Sequence, residues 1–109
     1  MKRYAIELTE HTLLDLDDIA AYVASHDGPD RAEHVARGIE KIYSSLTLFP
    51  NRGAYPRELL EAGSRDFREV HFKPYRIIYR VYERKVVVFL IADGRRDMQT
   101  LLTRRLLAS

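Results

Sequence analysis

The side chains with the clearest chemical potential lie close together in the second half of the chain. One carboxylate, one imidazole and four guanidinium groups fall there, at Glu69, His71, Arg76, Arg80, Arg95 and Arg96. A guanidinium fork can hold a phosphodiester and stabilise the charge that grows on it in a transition state. A histidine titrates near neutral pH and can take a proton from a ribose 2′-hydroxyl. The set fits an RNA-cleaving site, and it also fits a charged surface that binds a partner.

Three short runs rich in β-branched and aromatic residues must position these groups. They are residues 67–72, 75–82 and 86–92, and they are closed by Lys73-Pro74, by Glu83-Arg84 and by Asp93-Gly94. Such runs between turn residues predict antiparallel strands that follow one another as a meander.

A two-residue hairpin loop at Lys73-Pro74 fixes which residues face each other on the first two strands. His71 then lies opposite Arg76, and Glu69 lies opposite Ile78, with cross-strand neighbours about 4.5–5.5 Å apart. Because side chains alternate between the faces of a strand, one face is apolar except for Arg68, and the other carries the charged set. We expect the apolar face to pack on the core and the charged face to be open to partners.

The first half of the chain predicts a short strand and a helix hairpin. Residues 2–8 alternate as a strand, and amphipathic helices lie on either side of Asp27-Gly28-Pro29. Thr9 is expected to cap the first helix and Asp30 the second, which should stop before Pro50. The apolar stripes of both helices must lie on the core face of the sheet.

The remaining segments complete an α+β fold. A helical turn is expected at Arg57–Glu61, and Asp97 is expected to cap a final helix. The apolar side of that helix is formed by Met98, Leu101, Leu102 and Leu106. The prediction is one domain over residues 1–109, in the order β-α-α-β-β-β-α, with a helix hairpin packed on one face of an antiparallel sheet.

Composition and charge limit the function classes. The chain has 109 residues and no cysteine, which excludes disulfides and thiolate metal sites. It shows no apolar run near the roughly 20 residues of a membrane span and no signal-peptide pattern, so a cytoplasmic protein is expected. Residues 1–64 hold 7 Lys/Arg and 11 Asp/Glu, whereas residues 65–109 hold 11 and 5. An anionic partner should therefore meet the sheet and the tail.

Four motifs, in this order and spacing, resemble one known family. They are residues 15–22 (DLDDIAAY), Leu46-x-x-Phe49-Pro50-x-x-Gly53, residues 75–81 (YRIIYRV) and residues 93–97 (DGRRD). Each motif alone fits an ordinary helix or strand, whereas the set spans essentially the whole chain. The chain resembles the toxins of ParE/RelE-type toxin–antitoxin modules.

The resemblance implies a toxin of a type II module, held inactive by a cognate ParD- or RelB-like antitoxin whose C-terminal segment wraps around it. RelE-like members cut mRNA in the ribosome with basic and acid–base side chains on the sheet, and ParE-like members poison DNA gyrase instead. Three interpretations stay open: a gyrase poison, a ribosome-dependent endoribonuclease, and a degenerate, non-toxic protein that binds antitoxin.

The residues favour the gyrase poison. A nuclease of this family would use Arg76 as its phosphate-contacting arginine, together with His71, Arg95 and Arg96. Glu69, however, repels an anionic substrate and can neutralise Arg76, and no tyrosine or histidine that could complete an acid–base pair follows Arg96. We therefore favour no catalytic residue. The simpler interpretation of Arg76 is an arginine paired with Glu69 on a solvated face.

A surface for the target or the antitoxin is expected to combine the charged set with the final helix. Its predicted members are Glu69, His71, Arg76, Arg80, Arg95, Arg96, Met98, Leu101, Leu102 and Arg105. The final helix would dock through its apolar side, whereas Asp15 and its acidic neighbours are expected to form a solvated helix face. The other histidines are scattered without ligand spacing, so neither a metal nor a cofactor is expected.

Overall fold

The computed structural model describes residues 3–107, which form one four-stranded sheet with helices on both of its faces. The elements are β1 (Ala5–Leu8), α1 (Glu10–Asp27), α2 (Pro29–Ser44), a 3₁₀ turn (Ser45–Thr47), α3 (Arg57–Glu61), β2 (Arg68–Phe72), β3 (Tyr75–Val81), β4 (Lys85–Asp93), α4 (Met98–Leu102) and a π-helical turn (Thr103–Leu107). This order confirms the predicted one, including the helical turn α3. Within this range, no helix is both long enough and apolar enough to cross a membrane.

The sheet has the strand order β1-β4-β3-β2 and is mixed. β2, β3 and β4 are antiparallel, and the hairpin at Lys73-Pro74 places His71 opposite Arg76, which confirms the predicted register. β1 begins at Ala5 and runs parallel to β4, so the antiparallel prediction applies to the other three strands only; residue 2, where the strand was expected to begin, lies outside the described residues. Parallel neighbours need a long crossover, and the α1–α2 hairpin supplies it.

The α1–α2 hairpin covers one face of the sheet, as its apolar stripes predict. Val23 of α1 and Val35 and Ile39 of α2 pack against Ile77 and Tyr79 of β3 in a single core cluster. Ile39, Ile77 and Tyr79 are all 0% exposed. Burial of this apolar surface is the main term that holds the two layers together.

Capping residues set the starts of the two long helices. Thr9 Oγ1 accepts the N–H of Thr12 at 3.1 Å, which confirms it as the N-cap of α1. The second predicted cap is wrong, because α2 starts at Pro29 with Gly28 as its N-cap and Asp30 lies in its first turn. Gly28 has a φ of 92°, which favours glycine, and a proline in the first turn has no N–H to leave unpaired.

The second face of the sheet is covered as well, contrary to the prediction that it is open. A second core forms there from Leu59, Phe67, Ile78, Leu90, Ala92, Met98 and Leu102. Ile78 and Leu90 point to this face and are 0% and 1% exposed. Apolar side chains at these positions need a cover, and α3 and α4 provide it.

α4 is part of this cover rather than an exposed docking helix. Asp97 caps it as predicted, since its Oδ1 accepts the N–H of Thr100 at 3.1 Å. Met98 and Leu102 are 4% and 0% exposed, and Leu101 packs partly buried against the same core. The expectation that these apolar side chains form an open binding surface is therefore wrong for this conformation.

The loop of residues 50–55 is fixed to the core by polar contacts. These contacts also account for Arg68 on the otherwise apolar face of the sheet. The Tyr79 hydroxyl donates to the Pro50 carbonyl at 2.7 Å and accepts the Gly53 N–H at 3.0 Å. Arg68 donates to the Gly53 carbonyl at 2.8 Å and lies over the Tyr55 ring. A Cβ at Gly53 would lie 2.6 Å from the Tyr79 hydroxyl, so the position requires glycine.

β1 covers only the first half of the outer edge of β4. It pairs with residues 85–88, and the chain leaves the sheet at Thr9 to start α1. Among residues 3–107, residues 89–93 of β4 therefore have no strand on that side. An unpaired edge of this kind exposes backbone N–H and C=O groups that can bind another chain.

Two side chains occupy the start of this open edge. Asp15 Oδ2 accepts the Ile91 N–H at 3.0 Å, and Arg105 donates to the Phe89 carbonyl at 2.9 Å. Asp15 and Arg105 also bond each other twice, both at 3.0 Å, and their side chains are 14% and 22% exposed. Asp15 is therefore not on a solvated face, and the Arg105 guanidinium is held by the fold rather than open to a partner.

Candidate functional site

Arg76 lies at the centre of an ion cluster that joins three elements. From β3, its guanidinium makes two parallel hydrogen bonds of 2.8 Å to Glu58 of α3. It also donates to Glu69 of β2, at 2.6 and 3.1 Å. The side chains of Arg76, Glu58 and Glu69 are 16%, 14% and 9% exposed. The pairing with Glu69 is as predicted. The prediction that the pair lies on a solvated face is wrong, because a second carboxylate and the helix that carries it enclose the pair.

The Glu58–Arg76 pair shifts the pKa of both partners toward the charged form. The hydrogen bonds from Arg76 lower the pKa of Glu58 to about 2, against the opposing effect of burial. The pKa of Arg76 rises, chiefly because of its bonds to Glu58. Both groups are therefore charged at neutral pH, and bidentate charge-assisted bonds of this kind are the stronger class of hydrogen bond.

This geometry leaves Arg76 few free donors for a phosphate. Four hydrogen bonds to carboxylates occupy most of the guanidinium donors. A phosphodiester at the same place would face the negative charges of Glu58 and Glu69. A cation that stabilises a transition state must be free to reach the developing charge. The cluster instead acts as a clamp that fixes α3 to the sheet.

His71 lies at the rim of the clamp. Its Nε2 is 3.0 Å from Glu69 Oε1, and 49% of its side chain is exposed. A small pocket of about 200 Å³ opens here, lined by Arg57, Glu58, Glu69, His71 and Arg76. The structure thus brings together three predicted site residues, Glu69, His71 and Arg76, but two carboxylates balance the two arginines of the pocket.

The other predicted arginines lie outside this pocket. Arg80 lies over the Tyr82 ring, with its guanidinium carbon 5.1 Å from the ring centre. Arg95 bonds Asp93 at 2.6 Å and lowers the pKa of that carboxyl. Arg95 and Arg96 line a different cavity, beside α1. The charged set expected on one face is therefore not gathered in one pocket.

Glu58 is the site residue that the sequence analysis missed. Its helical turn was predicted, but 18 positions separate it from Arg76. The available signal was the neighbouring Leu59, an apolar residue in a charged turn. Leu59 is 1% exposed and belongs to the second core. An apolar anchor there brings the adjacent carboxylate down onto the sheet.

A groove of about 850 Å³ runs between α1 and the open edge of β4. Its apolar floor includes Val23, Val35, Tyr75 and Ile91. Its rim carries charges of both signs, at Asp18, Asp27, Arg31, Lys73, Arg95 and Arg96. Tyr22 of α1 projects at the rim and is 64% exposed. An apolar floor beside an unpaired strand edge is the arrangement that binds an extended peptide segment.

Known proteins share this fold and part of this sequence. The family model of the ParE toxin of the type II toxin–antitoxin system, parDE, matches residues 6–98. Toxin ParE3 of Caulobacter vibrioides is 31% identical over 91 residues, which is 84% of this chain and 87% of that protein. A solved structure of the chromosomal ParDE TA system from P. aeruginosa superposes with a TM-score of 0.70 at 19% identity, and the match covers 84% of this chain and 96% of that one.

The structural match supports the fold, and the sequence matches also show the family. The family model spans most of the chain, from β1 to the start of α4. The resemblance seen in the four motifs is therefore confirmed on its ParE side. The chain belongs to the ParE toxin family of type II toxin–antitoxin systems.

Proposed function

We propose that this chain poisons DNA gyrase by binding to it, and that a cognate antitoxin neutralises the chain by docking in the groove between α1 and β4. Membership of the ParE family supports the toxin role. Resemblance to the ParE-like rather than the RelE-like members supports gyrase as the target. The observation that carries the choice between the two targets is the engagement of Arg76 by Glu58 and Glu69.

RNA cleavage would need chemical groups that are already bonded to other side chains at this site. Attack by a 2′-hydroxyl calls for a base, an acid and a cation at the phosphorane, and each acid–base partner contributes about 10²–10⁴-fold. Arg76 is neutralised by two carboxylates, and the nearby imidazole of His71 lies against one of them. A chain without these free groups is better suited to binding its target than to cutting RNA.

The groove supports the second part of the proposal. It combines apolar floor residues with the outer end of the β4 edge, beyond the Phe89 carbonyl and the Ile91 N–H that Arg105 and Asp15 already bond. A partner segment can bury apolar side chains and add backbone hydrogen bonds there. Such a segment would order as it binds. Co-expression with the product of the neighbouring reading frame should give a complex that stays together on gel filtration at micromolar concentration. Separate elution of two folded proteins would contradict the proposal that this partner docks in the groove.

The choice of target can be tested in cells. Gyrase trapped on cleaved DNA leaves double-strand breaks, so induction of the chain in a bacterial host should activate a DNA-damage reporter while a reporter mRNA stays intact. Co-expression of the neighbouring reading frame should silence the reporter and restore growth. Cleaved mRNA together with a silent DNA-damage reporter would show that the target is the ribosome.

A further inference from the structure

The groove between α1 and β4 has one polar corner. It is formed by Tyr75 at the start of β3, Arg31 in the first turn of α2, and Asp93 and Arg95 at the end of β4. All four side chains line the same groove, and Arg95 and Asp93 bond each other there. This corner is separate from the Arg76 clamp, which lies on the other face of the sheet.

Tyr75 presents its hydroxyl to the groove without a partner. The residue is 9% exposed, and it belongs to the first core. Within residues 3–107 the hydroxyl makes no hydrogen bond, yet no buried side-chain oxygen in that range is left unpaired. The hydroxyl must therefore be open to the groove. A phenol hydroxyl that is open to a groove can donate a hydrogen bond to a ligand that enters the groove.

Arg31 is the second available donor at this corner. It lines the groove, and no carboxylate of the described residues lies within 4 Å of its guanidinium. Arg95 differs, because Asp93 holds it at 2.6 Å. Arg37, further along α2, pairs with Glu33 on the exposed side of the helix. The corner thus offers one unpaired guanidinium next to one unpaired phenol.

We propose that this corner binds a carboxylate side chain of the partner segment, held by the Arg31 guanidinium and the Tyr75 hydroxyl. The inference rests on the proposed docking of the antitoxin in this groove. A guanidinium fork and a phenol donate well to a planar monoanion. Asp18, Asp27 and Asp93 line the same groove and would oppose a dianion such as a phosphate group more strongly than a monoanion. The partner segment is thus apolar where it faces Val23 and Val35 and carries one Asp or Glu beside them.

The test measures the dissociation constant of the complex between this chain and the product of the neighbouring reading frame, by titration calorimetry. Arg31→Gln should weaken binding about 10- to 100-fold and Tyr75→Phe about three- to tenfold, as expected for a charged and a neutral hydrogen bond. Arg37→Gln and Tyr82→Phe are matched controls, because both side chains are exposed and lie outside the groove. Both controls should bind like the wild type.

The partner side of the contact identifies the carboxylate. Each Asp and Glu of the bound partner is changed to its amide and combined with Arg31→Gln in a double-mutant cycle. One acidic position should couple to Arg31 and Tyr75, and its amide variant should lose no further affinity when Arg31→Gln is added. The carboxylate-binding proposal is overturned if both groove variants keep wild-type affinity, or if the effects are additive at every acidic position. Either result leaves the proposed docking of the antitoxin in the groove in place. Absence of any wild-type complex overturns both.

Discussion

Glu58 of α3 and Arg76 of β3 face each other through two parallel hydrogen bonds of 2.8 Å. A five-residue helix such as α3 has little stability of its own. The ion pair and the buried Leu59 beside it hold this helix on the second face of the sheet. We therefore expect Arg76, the arginine best placed in the sequence to contact a phosphate, to stabilise the fold instead.

Replacing Arg76 by alanine should lower the free energy of unfolding by about 2–4 kcal/mol, because two part-buried carboxylates lose their cation. Urea unfolding followed by circular dichroism measures this loss. Arg80→Ala is the matched control on the same strand, since Arg80 makes no ion pair among the described residues and lies over aromatic rings. It should cost less than about 1 kcal/mol.

The toxicity of the Arg76→Ala protein separates a structural role from a catalytic one. The fraction that stays folded should still arrest growth and still activate a DNA-damage reporter, at a level that follows the amount of folded protein. A variant with wild-type stability and no toxicity would contradict the structural role and return Arg76 to the list of catalytic candidates.

Acid should weaken the clamp over a defined pH range. The pKa of Glu58 is about 2 in the folded chain, below its ordinary value of 4.5, so folding favours the ionised form. Its contribution to stability is full above about pH 5 and is lost as the pH falls from there toward 2. The stability difference between the wild type and Glu58→Gln should therefore shrink over this range. Glu61→Gln, at an exposed site on the same helix, is the control.

Unfolding free energies at a series of pH values, for the wild type and both variants, measure this effect. The Glu61→Gln protein should follow the pH dependence of the wild type. Parallel curves for the wild type and Glu58→Gln between pH 5 and 2 would show that the Glu58–Arg76 pair does not contribute to stability.

The Asp15–Arg105 pair should protect the open edge of β4. Asp15→Asn or Arg105→Gln should each cost about 1–3 kcal/mol, because either change leaves a part-buried partner unsatisfied. Hydrogen exchange of the Ile91 N–H, which bonds Asp15, should become faster in the Asp15→Asn protein. The exposed Glu33–Arg37 pair provides the control, with a coupling of about 0.3–0.5 kcal/mol.

A double-mutant cycle compares the two pairs directly. The coupling of Asp15 with Arg105 should exceed that of Glu33 with Arg37. Equal couplings, together with unchanged exchange at Ile91, would mean that the Asp15–Arg105 pair is an ordinary surface contact.

The parts of the fold that depend on local pattern could be predicted from the sequence. The two-residue loop and the period-2 alternation fix the β2–β3 register, so His71 falls opposite Arg76 as expected. Helical periodicity places the α1–α2 hairpin on the apolar face. Both signals lie within a few residues of the structure that they determine.

The features that could not be predicted from the sequence depend on contacts between distant segments. Glu58 meets Arg76 across 18 positions, and Asp15 meets Arg105 across 90. Charged residues do not indicate their partners by spacing over such distances. The alternating pattern also suggested one polar sheet face, although Ile78 and Leu90 on that face are apolar and required a second layer.

The most direct test of the central claim is the incubation of the purified chain with DNA gyrase and supercoiled plasmid, with translating ribosomes assayed in parallel. If Arg76 is a structural clamp and the chain is a gyrase poison, linear DNA should accumulate after protease treatment while the mRNA on the ribosomes stays intact. Arg76→Gln protein that remains folded should give the same products. Cleavage of mRNA on the ribosome by the wild type, lost in Arg76→Gln while gyrase is unaffected, would contradict the account.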